Sequence, residues 1–392
     1  MTYSILPACV RQGAVRPFVV NVPDEELARM KTLLSLSNIP GVCYENRLPG
    51  GNRSLGLPRE WLIAAKREWE NEFNWYILLP AHAINAFPHF KVSGAGLGAT
   101  ALHDSPTTCI LFVALFSTNP SAAPILLLHG WSGSFLELAL SHPCPLTSRV
   151  RLLGPLRADD DNGMEAVAAI LDKLMSTILG FSDHTVQGGD IGSRIGRILA
   201  ARHEVCVAAL LNYSAVFQPA GMSLDDLTEA EKRGIARGNW LRTDGCTYAL
   251  MQGTRPATVG LVLSTNPLAL LAWIGEKYLD WIDPEAFPHD SVLEGSGTPY
   301  SRALMEQIML SVSLYWLTGT AHASLYTYRE CFAIGGPPPS SHESPQYRVS
   351  APKKLSFSLF SLGGCAHAKA EHKTGGHFAA LEQPASIPED LE

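Results

Sequence analysis

The segment Gly188-Gly189-Asp190-Ile191-Gly192 has the composition of a sharp turn that presents one reactive side chain. Small residues on both sides of the central position allow a strand to turn into a helix while holding that side chain exposed in a strained conformation. A β-type run precedes the segment and a helical run follows it. Because the central side chain is a carboxylate, the motif predicts Asp190 as a nucleophile. A glycine-rich turn with an acidic helix cap is the alternative interpretation.

A second turn, His129-Gly130-Trp131, ends an apolar β-type run upstream of Asp190. In enzymes with a nucleophile on such a turn, the oxyanion is stabilised by two backbone N–H groups, one at an earlier strand end and one just after the nucleophile. Trp131 and Ile191 occupy those positions and form the predicted oxyanion hole. Without Asp190, a packed strand end would explain His129 and Trp131 equally well.

One of the 13 histidines has the setting of a general base. His377 lies near the C-terminus, follows two glycines, and precedes helix-forming residues. In this kind of site the nucleophile comes first along the chain and the base comes last. We therefore predict that His377 acts as the base.

The elements that must position these residues are predicted by alternating apolar and helical runs. We expect strands at residues 112–117, 124–131, 184–190, 205–214 and 355–362, and helices at 163–179 and directly after Asp190. This order is typical of an α/β fold with a mostly parallel sheet. Residues 1–100 have a helical pattern, as at 24–36 and 57–76, and residues 217–330 are helical and rich in Trp and Tyr.

The composition excludes several classes of protein. Hydrophobic residues make up 46% of the chain and charged residues 17%, which supports a large core and argues against disorder. The net charge is −7 and there is no basic cluster, which argues against nucleic acid as a partner. The cysteines form no C-x-x-C pair, and we find no secretory signal or spanning apolar run. We expect a soluble, cytoplasmic protein without metal or cofactor.

The chain resembles the epoxide hydrolases of the α/β-hydrolase superfamily in motifs that follow one another in the same order. They are HGWSGSFLE at 129–137, QGGDIGS at 187–193, SVSLYWLTGT and YTYRE within 311–330, and GGHFAALEQP at 375–384. The likeness is greatest to the microsomal-type and fungal branch. It implies an α/β-hydrolase fold in four parts: an N-terminal helical extension (1–105), a first core part (106–216), a helical lid (217–334) and a C-terminal core part (335–392).

The resemblance implies hydrolysis of an epoxide to a diol. Asp190 would attack carbon and form an alkyl ester, and His377 would activate the water that cleaves it, with Trp131 and Ile191 holding the oxyanion. Tyr328 and Tyr248 would donate protons to the epoxide oxygen, since a phenol with a pKa of about 10 stays neutral at pH 7.

Two departures from the family pattern stand out. An acid normally orients the imidazole, but its expected site falls near Gly363, where the sequence has none. Glu371 is the nearest candidate, with an exposed loop carboxylate as the alternative. The interval from Trp131 to Asp190 is also short, so we expect either a re-paired sheet or the loss of a strand.

The missing acid keeps a second class open, a hydrolase-fold protein with weak or no turnover that acts in binding. A haloalkane dehalogenase also uses an aspartate nucleophile, but the paired Tyr248 and Tyr328 argue against it, and a serine esterase is excluded at Asp190. The lid composition favours a lipophilic epoxide, in detoxification or in a fungal secondary-metabolite pathway. The expected partner is this small molecule; a homodimer stays open, and neither nucleic acid nor a stable membrane anchor is expected.

Overall fold

A computed structural model describes most of the chain. The described residues are 4–48, 53–71, 73, 84–93, 109–119, 121–139, 147–152, 163–213, 223, 225, 227–292, 299–330, 354–360, 370–372, 374–384 and 386. Contacts within the chain divide the protein into two compact units. The first comprises residues 1–19, 87–256 and 324–392, and the second comprises 20–86 and 257–323. The predicted four-part division stays a prediction.

Nine strands among the described residues form one sheet in the first unit. Its spatial order is β1 (Val15–Phe18), β2 (His89–Ser93), β3 (Cys109–Leu115), β5 (Thr147–Leu152), β4 (Ala123–Leu128), β6 (His184–Gly188), β7 (Cys206–Leu211), β10 (Lys354–Phe360) and β11 (Ala370–His372). The pairs from β1 to β5 are antiparallel and those from β5 to β11 are parallel. A mostly parallel sheet is what the apolar runs predicted.

Among the described residues, the first unit also contains six α-helices. They are α3 (Phe135–Ala139), α4 (Met164–Lys173, continued by a π-helical turn at Leu174–Ile178), α5 (Asp190–Arg202), α6 (Glu229–Trp240, continued by a π-helical turn at Leu241–Gly245), α7 (Thr247–Thr254) and α11 (Ala379–Glu382). A 3-10 helix spans Ala323–Glu330. Helix α5 packs on β6, β7 and α4. It buries Ile195, Ile198 and Leu199, the apolar face that its helical period predicted.

The second unit is mainly helical. It contains α1 (Asp24–Leu36), α2 (Arg59–Asn71), α8 (Pro256–Thr265), α9 (Pro267–Trp281), α10 (Arg302–Leu317) and a short hairpin of β8 (Ser291–Val292) and β9 (Pro299–Tyr300). The Trp69 indole of α2 donates a hydrogen bond to Ser313 of α10 over 3.2 Å, and Arg53 is paired with Asp280 of α9 at 3.0 Å. Residues far apart in sequence are thereby joined into one unit.

Two expectations need correction. The helical pattern expected over residues 1–100 holds for α1 and α2, but β1 and β2 also lie there and join the main sheet. The loss of a strand between Trp131 and Asp190 is wrong, because β5 occupies that interval and pairs with β3 and β4. The sequence of this strand, TSRVRL, alternates polar and apolar residues, so it contains no continuous apolar run that would predict a buried strand.

Three parallel strands of the sheet end at the same level. Leu128, the last residue of β4, pairs with Gly188 of β6, and Gly188 in turn pairs with Leu211 of β7. The residues that follow these strands therefore meet at one edge of the sheet. They are His129 to Trp131, Gly189 and Asp190, and Asn212.

Candidate active site

Asp190 lies at the first position of α5, directly after β6. Its φ angle is +46°, the left-handed region that side chains rarely adopt. The turn has no room for larger neighbours. A Cβ atom on Gly188 would collide with the carbonyl of Gly192, and one on Gly192 would collide with the carbonyl of Leu128. The strained turn expected from the glycine pattern is thus present, and it carries the carboxylate.

A backbone amide binds this carboxylate. The N–H of Trp131 donates to Asp190 Oδ2 over 3.1 Å. Ile191 is the next residue of α5, and the first N–H groups of a helix have no acceptor within the helix. Both amides predicted for the oxyanion hole therefore belong to the immediate surroundings of Asp190.

The two predicted tyrosines meet beside Trp131. Tyr248 lies in α7 and Tyr328 in the 3-10 helix, and their hydroxyl oxygens are 3.4 Å apart. The Trp131 ring stacks on Tyr248 with ring centres 5.2 Å apart and meets Tyr328 edge to face at 5.9 Å. Trp131 thus holds both phenols with its ring and Asp190 with its backbone.

His377 completes the cluster. Burial lowers the pKa of its imidazole below the ordinary 6.5, while the Asp190 charge and a hydrogen bond with the Trp131 backbone offset part of that shift. Burial likewise lowers the pKa of His129, whose Nδ1 lies 2.9 Å from the Gly130 carbonyl oxygen. A lowered pKa favours a neutral imidazole at pH 7, which is the form that accepts a proton.

Comparison with known proteins identifies the family. The family model "Epoxide hydrolase N terminus" matches residues 15–138. The solved Aspergillus niger epoxide hydrolase is 34% identical, with a TM-score of 0.82 and coverage of 100% of this chain and 98% of that one. A Dothistroma septosporum protein assigned as an epoxide hydrolase is 33% identical over 96% of this chain and 88% of its own length. Epoxide hydrolase 1 of Sus scrofa is 27% identical over 98% of this chain and 89% of its length.

The chain belongs to the epoxide hydrolase family. The expected α/β-hydrolase fold is thereby confirmed, and so is the expected class of enzyme. Among the residues that the structure describes, no group of three or more His, Cys, Asp or Glu side chains can hold a metal ion. In the same part of the chain, no single helix is long and apolar enough to cross a membrane; only α8 and α9 taken together, bent by 117°, have the length and composition.

The orienting acid was expected near Gly363 or at Glu371. The region around Gly363 lies outside the described residues. Glu371 lies in β11, where its backbone pairs with Leu359 of β10, but its side chain also lies outside the described part. The assignment of Glu371 stays a prediction.

The sequence analysis missed a different carboxylate in the His377 loop. Glu382 is buried, with 7% of its surface exposed. Its Oε2 accepts the Gly376 N–H at 2.7 Å and its Oε1 accepts the Phe378 N–H at 2.8 Å. The available signal was an acid, Glu382, directly after the apolar sequence FAAL (378–381).

The sequence analysis also missed a small cavity beside Asp190 and His377. It measures about 20 Å³, enough for one water molecule, and Asp190, His377, Glu137, Gln187 and Asn212 are among its lining residues. Gln187 is 2% exposed; its Nε2 donates to Asn212 Oδ1 over 2.8 Å, whereas its Oε1 has no hydrogen-bond partner among the described residues. The cavity thus offers a water molecule an acceptor beside Asp190 and His377.

Proposed function

We propose that this epoxide hydrolase converts a lipophilic epoxide to a vicinal diol through a covalent alkyl ester on Asp190. The observation that carries the proposal is the cluster around Trp131, whose amide binds the Asp190 carboxylate and whose ring contacts two tyrosines with hydroxyls 3.4 Å apart. Opening an epoxide needs a nucleophile for carbon and an acid for oxygen, and this cluster supplies both.

In the first step, a carboxylate oxygen of Asp190 attacks one epoxide carbon. The bond between that carbon and the epoxide oxygen breaks, and the oxygen takes a proton from Tyr328 or Tyr248. The products are an alkyl ester on Asp190 and a tyrosinate, which the neighbouring phenol stabilises by hydrogen bonding. An ester suits the cycle because its carbonyl carbon is open to attack by water, which an alkyl ether on serine would lack.

In the second step, water attacks the carbonyl carbon of Asp190 and His377 accepts a proton from it. The tetrahedral oxyanion receives the N–H groups of Trp131 and Ile191. On collapse, the bond between the Asp190 carbon and the diol oxygen breaks, and that oxygen takes the second proton of the attacking water, so the diol leaves and the carboxylate is restored. The proton on His377 then returns to the tyrosinate through solvent. The lowered pKa of His377 supports this role, since the neutral base is present at pH 7.

Other parts of the proposal rest on the sequence alone. Glu371 is the proposed orienting acid. A fungal secondary-metabolite pathway or detoxification is the proposed setting, with a cytoplasmic location and a homodimer as further proposals. A net charge of −7 supports the absence of nucleic acid among the partners.

Diol formation from aryl and terpenoid epoxides tests the function. Purified full-length enzyme is mixed with styrene oxide, stilbene oxide or limonene oxide, and the diol is quantified by chromatography with Asp190→Ala as the blank. Intact-mass measurement of His377→Gln with the same epoxides should show one added substrate mass. If Asp190→Asn placed in His377→Gln keeps that adduct, the nucleophile is another residue; if no epoxide is converted, the proposed function is wrong.

A further inference from the structure

The loop that carries His377 is closed by side chains from its own C-terminal end. Besides the two hydrogen bonds that the Glu382 carboxylate accepts, the Gln383 side chain donates to Thr374 Oγ1 over 3.0 Å. The backbone N–H of Glu382 also donates to the Phe378 carbonyl over 2.9 Å. Residues 374–383 are therefore tied together by bonds on both sides of His377.

The Glu382 carboxylate is at the centre of these ties. Gly376 and Phe378 are the residues immediately before and after His377, and the backbone N–H of each donates a hydrogen bond to one oxygen of Glu382. Hydrogen bonds from N–H groups to an ionised acceptor are stronger than neutral ones, and burial strengthens them further. The Gly375–Gly376 and His377–Phe378 peptide planes, which lie shortly before and directly after the His377 side chain, are thus fixed by one buried charge.

This fixation matters because the chain enters His377 through two glycines, and it acts together with the hydrogen bond between His377 and the Trp131 backbone. Gly375 has a φ angle of +113° and Gly376 follows it, so the chain enters His377 through two residues without side chains. Glycine tolerates many backbone conformations, and a loop entered through two of them needs an external restraint to hold one ring position. Glu382 supplies that restraint from the far side of His377.

Resting on the proposed two-step function, we infer that Glu382 positions His377 for hydrolysis of the ester on Asp190. Glu382 is a positioning residue: its oxygens bind backbone amides, so it acts on the imidazole through the main chain. Ester hydrolysis requires the imidazole to lie within reach of the attacking water, whereas attack of Asp190 on the epoxide requires only the carboxylate and the tyrosines. The two steps therefore depend differently on Glu382.

The substitution Glu382→Gln should affect ester hydrolysis and leave attack on the epoxide nearly unchanged. The amide keeps one acceptor oxygen but turns an NH2 group towards the other backbone N–H, so one of the two restraints is lost. Misplacing a reacting group by about 1 Å can cost ~10²-fold in rate. We expect ester hydrolysis to slow by that order, with alkylation changed by no more than about twofold. Glu382→Asp, one methylene shorter, should reach only one amide and show the same split to a smaller degree.

The experiment uses full-length enzyme and styrene oxide. Rapid quench followed by intact-mass measurement gives the rate of ester formation and the rate of its decay. The matched control is Glu231→Gln, which also removes a carboxylate that accepts a backbone N–H, that of Thr228 at 2.7 Å, but lies at the exposed start of α6. We expect the control to leave both rates unchanged. Thermal melting of each variant reports the folded fraction.

The outcomes separate the inference from the proposed function. Accumulated ester in Glu382→Gln, with normal formation rate, supports the inference. Ester decay at the wild-type rate in Glu382→Gln, or equal slowing of both steps, overturns it while His377→Gln still traps the ester. If Glu382→Gln does not fold, the same comparison is made with Glu382→Asp. If no ester forms even in His377→Gln, the covalent function itself is wrong and the inference with it.

Discussion

The amide of Trp131 and the carboxylate of Asp190 are joined by a hydrogen bond of 3.1 Å across 59 residues of chain. The same N–H that steadies the free nucleophile is thus in place to receive the oxyanion when that carboxylate becomes an ester under attack. The donor needs little reorganisation between the two states, which is the condition under which such groups are most effective.

Removing either phenol hydroxyl should slow alkylation. Tyr328→Phe and Tyr248→Phe each lose one donor to the epoxide oxygen, and loss of one preorganised donor typically costs ~10²–10³-fold. Single-turnover loss of styrene oxide measures this step directly. Tyr326→Phe is the matched control, two residues before Tyr328, and should behave as wild type. Normal alkylation in both single variants would remove the tyrosines from the mechanism.

Activity is expected to require a glycine at position 130, because the Asp190 side chain lies where a Cβ atom of residue 130 would be. A Cβ atom there would lie 2.6 Å from Oδ2 and 2.9 Å from Cγ of Asp190. Gly130→Ala should therefore displace the carboxylate and lower kcat/KM by about 10²-fold or more. Gly238→Ala is the control, since its Cβ would meet nothing within 4 Å in α6, and it should raise stability by up to ~1 kcal/mol. Unchanged kcat/KM in Gly130→Ala would contradict the position of the carboxylate.

The lowered pKa of His377 gives a pH dependence with a defined sign. Hydrolysis needs the neutral ring, so its rate should rise with pH and reach half of its maximum below the ordinary 6.5. The same shift affects folding: the unfolded imidazole binds protons below pH 6.5 more readily than the buried one, so stability should fall as pH drops from about 6.5 towards the lower folded pKa. Melting temperatures between pH 5.5 and 7.5 check this. His377→Gln should lose less stability over that range than wild type does; equal losses would contradict the shift.

Pre-steady-state kinetics test whether Glu371 orients His377. If Glu371 orients His377, Glu371→Gln should leave the rapid consumption of epoxide intact and slow the later release of diol, so that a burst equal to the enzyme concentration appears or deepens. Pre-steady-state sampling of epoxide and diol measures both phases. A steady-state rate that Glu371→Gln leaves unchanged would mean that the orientation of His377 does not depend on this carboxylate.

Much of the cluster could be predicted from the sequence because its members lie in short motifs with local requirements. The turn at Asp190 needs glycines within two residues, and Trp131 follows an apolar strand directly, so both could be found without knowing the fold. Tyr248 and Tyr328, by contrast, were assigned by resemblance, since nothing local to either residue indicates that their hydroxyls lie 3.4 Å apart.

The sequence analysis missed features that depend on contacts between residues distant in sequence or on the local path of a loop. Strand β5 is recognisable only beside β3 and β4, because its own alternating sequence does not distinguish it from a loop. Strand β1 pairs with β2 across more than 70 residues, at Val15 and Val92. Glu382 is close to His377 in sequence, but its two bonds follow from the way the loop turns back, which glycine φ angles decide.

Residues 257–323 form an insertion, because they belong to the second unit while the chain on both sides of them belongs to the first. The chain leaves the unit that holds Asp190 after Pro256 and returns to it at Ser324, so Tyr248 and Tyr328 lie just before and just after residues 257–323. Glu330 secures the returning end, since its Oε2 accepts the Met164 N–H at the start of α4 over 2.7 Å. Both phenol rings also contact Trp131, which lies outside residues 257–323. Closing a longer loop adds only slowly to its entropic cost. In evolution, the length and sequence of the insertion 257–323 can therefore change while the distance between the Tyr248 and Tyr328 hydroxyl oxygens is kept.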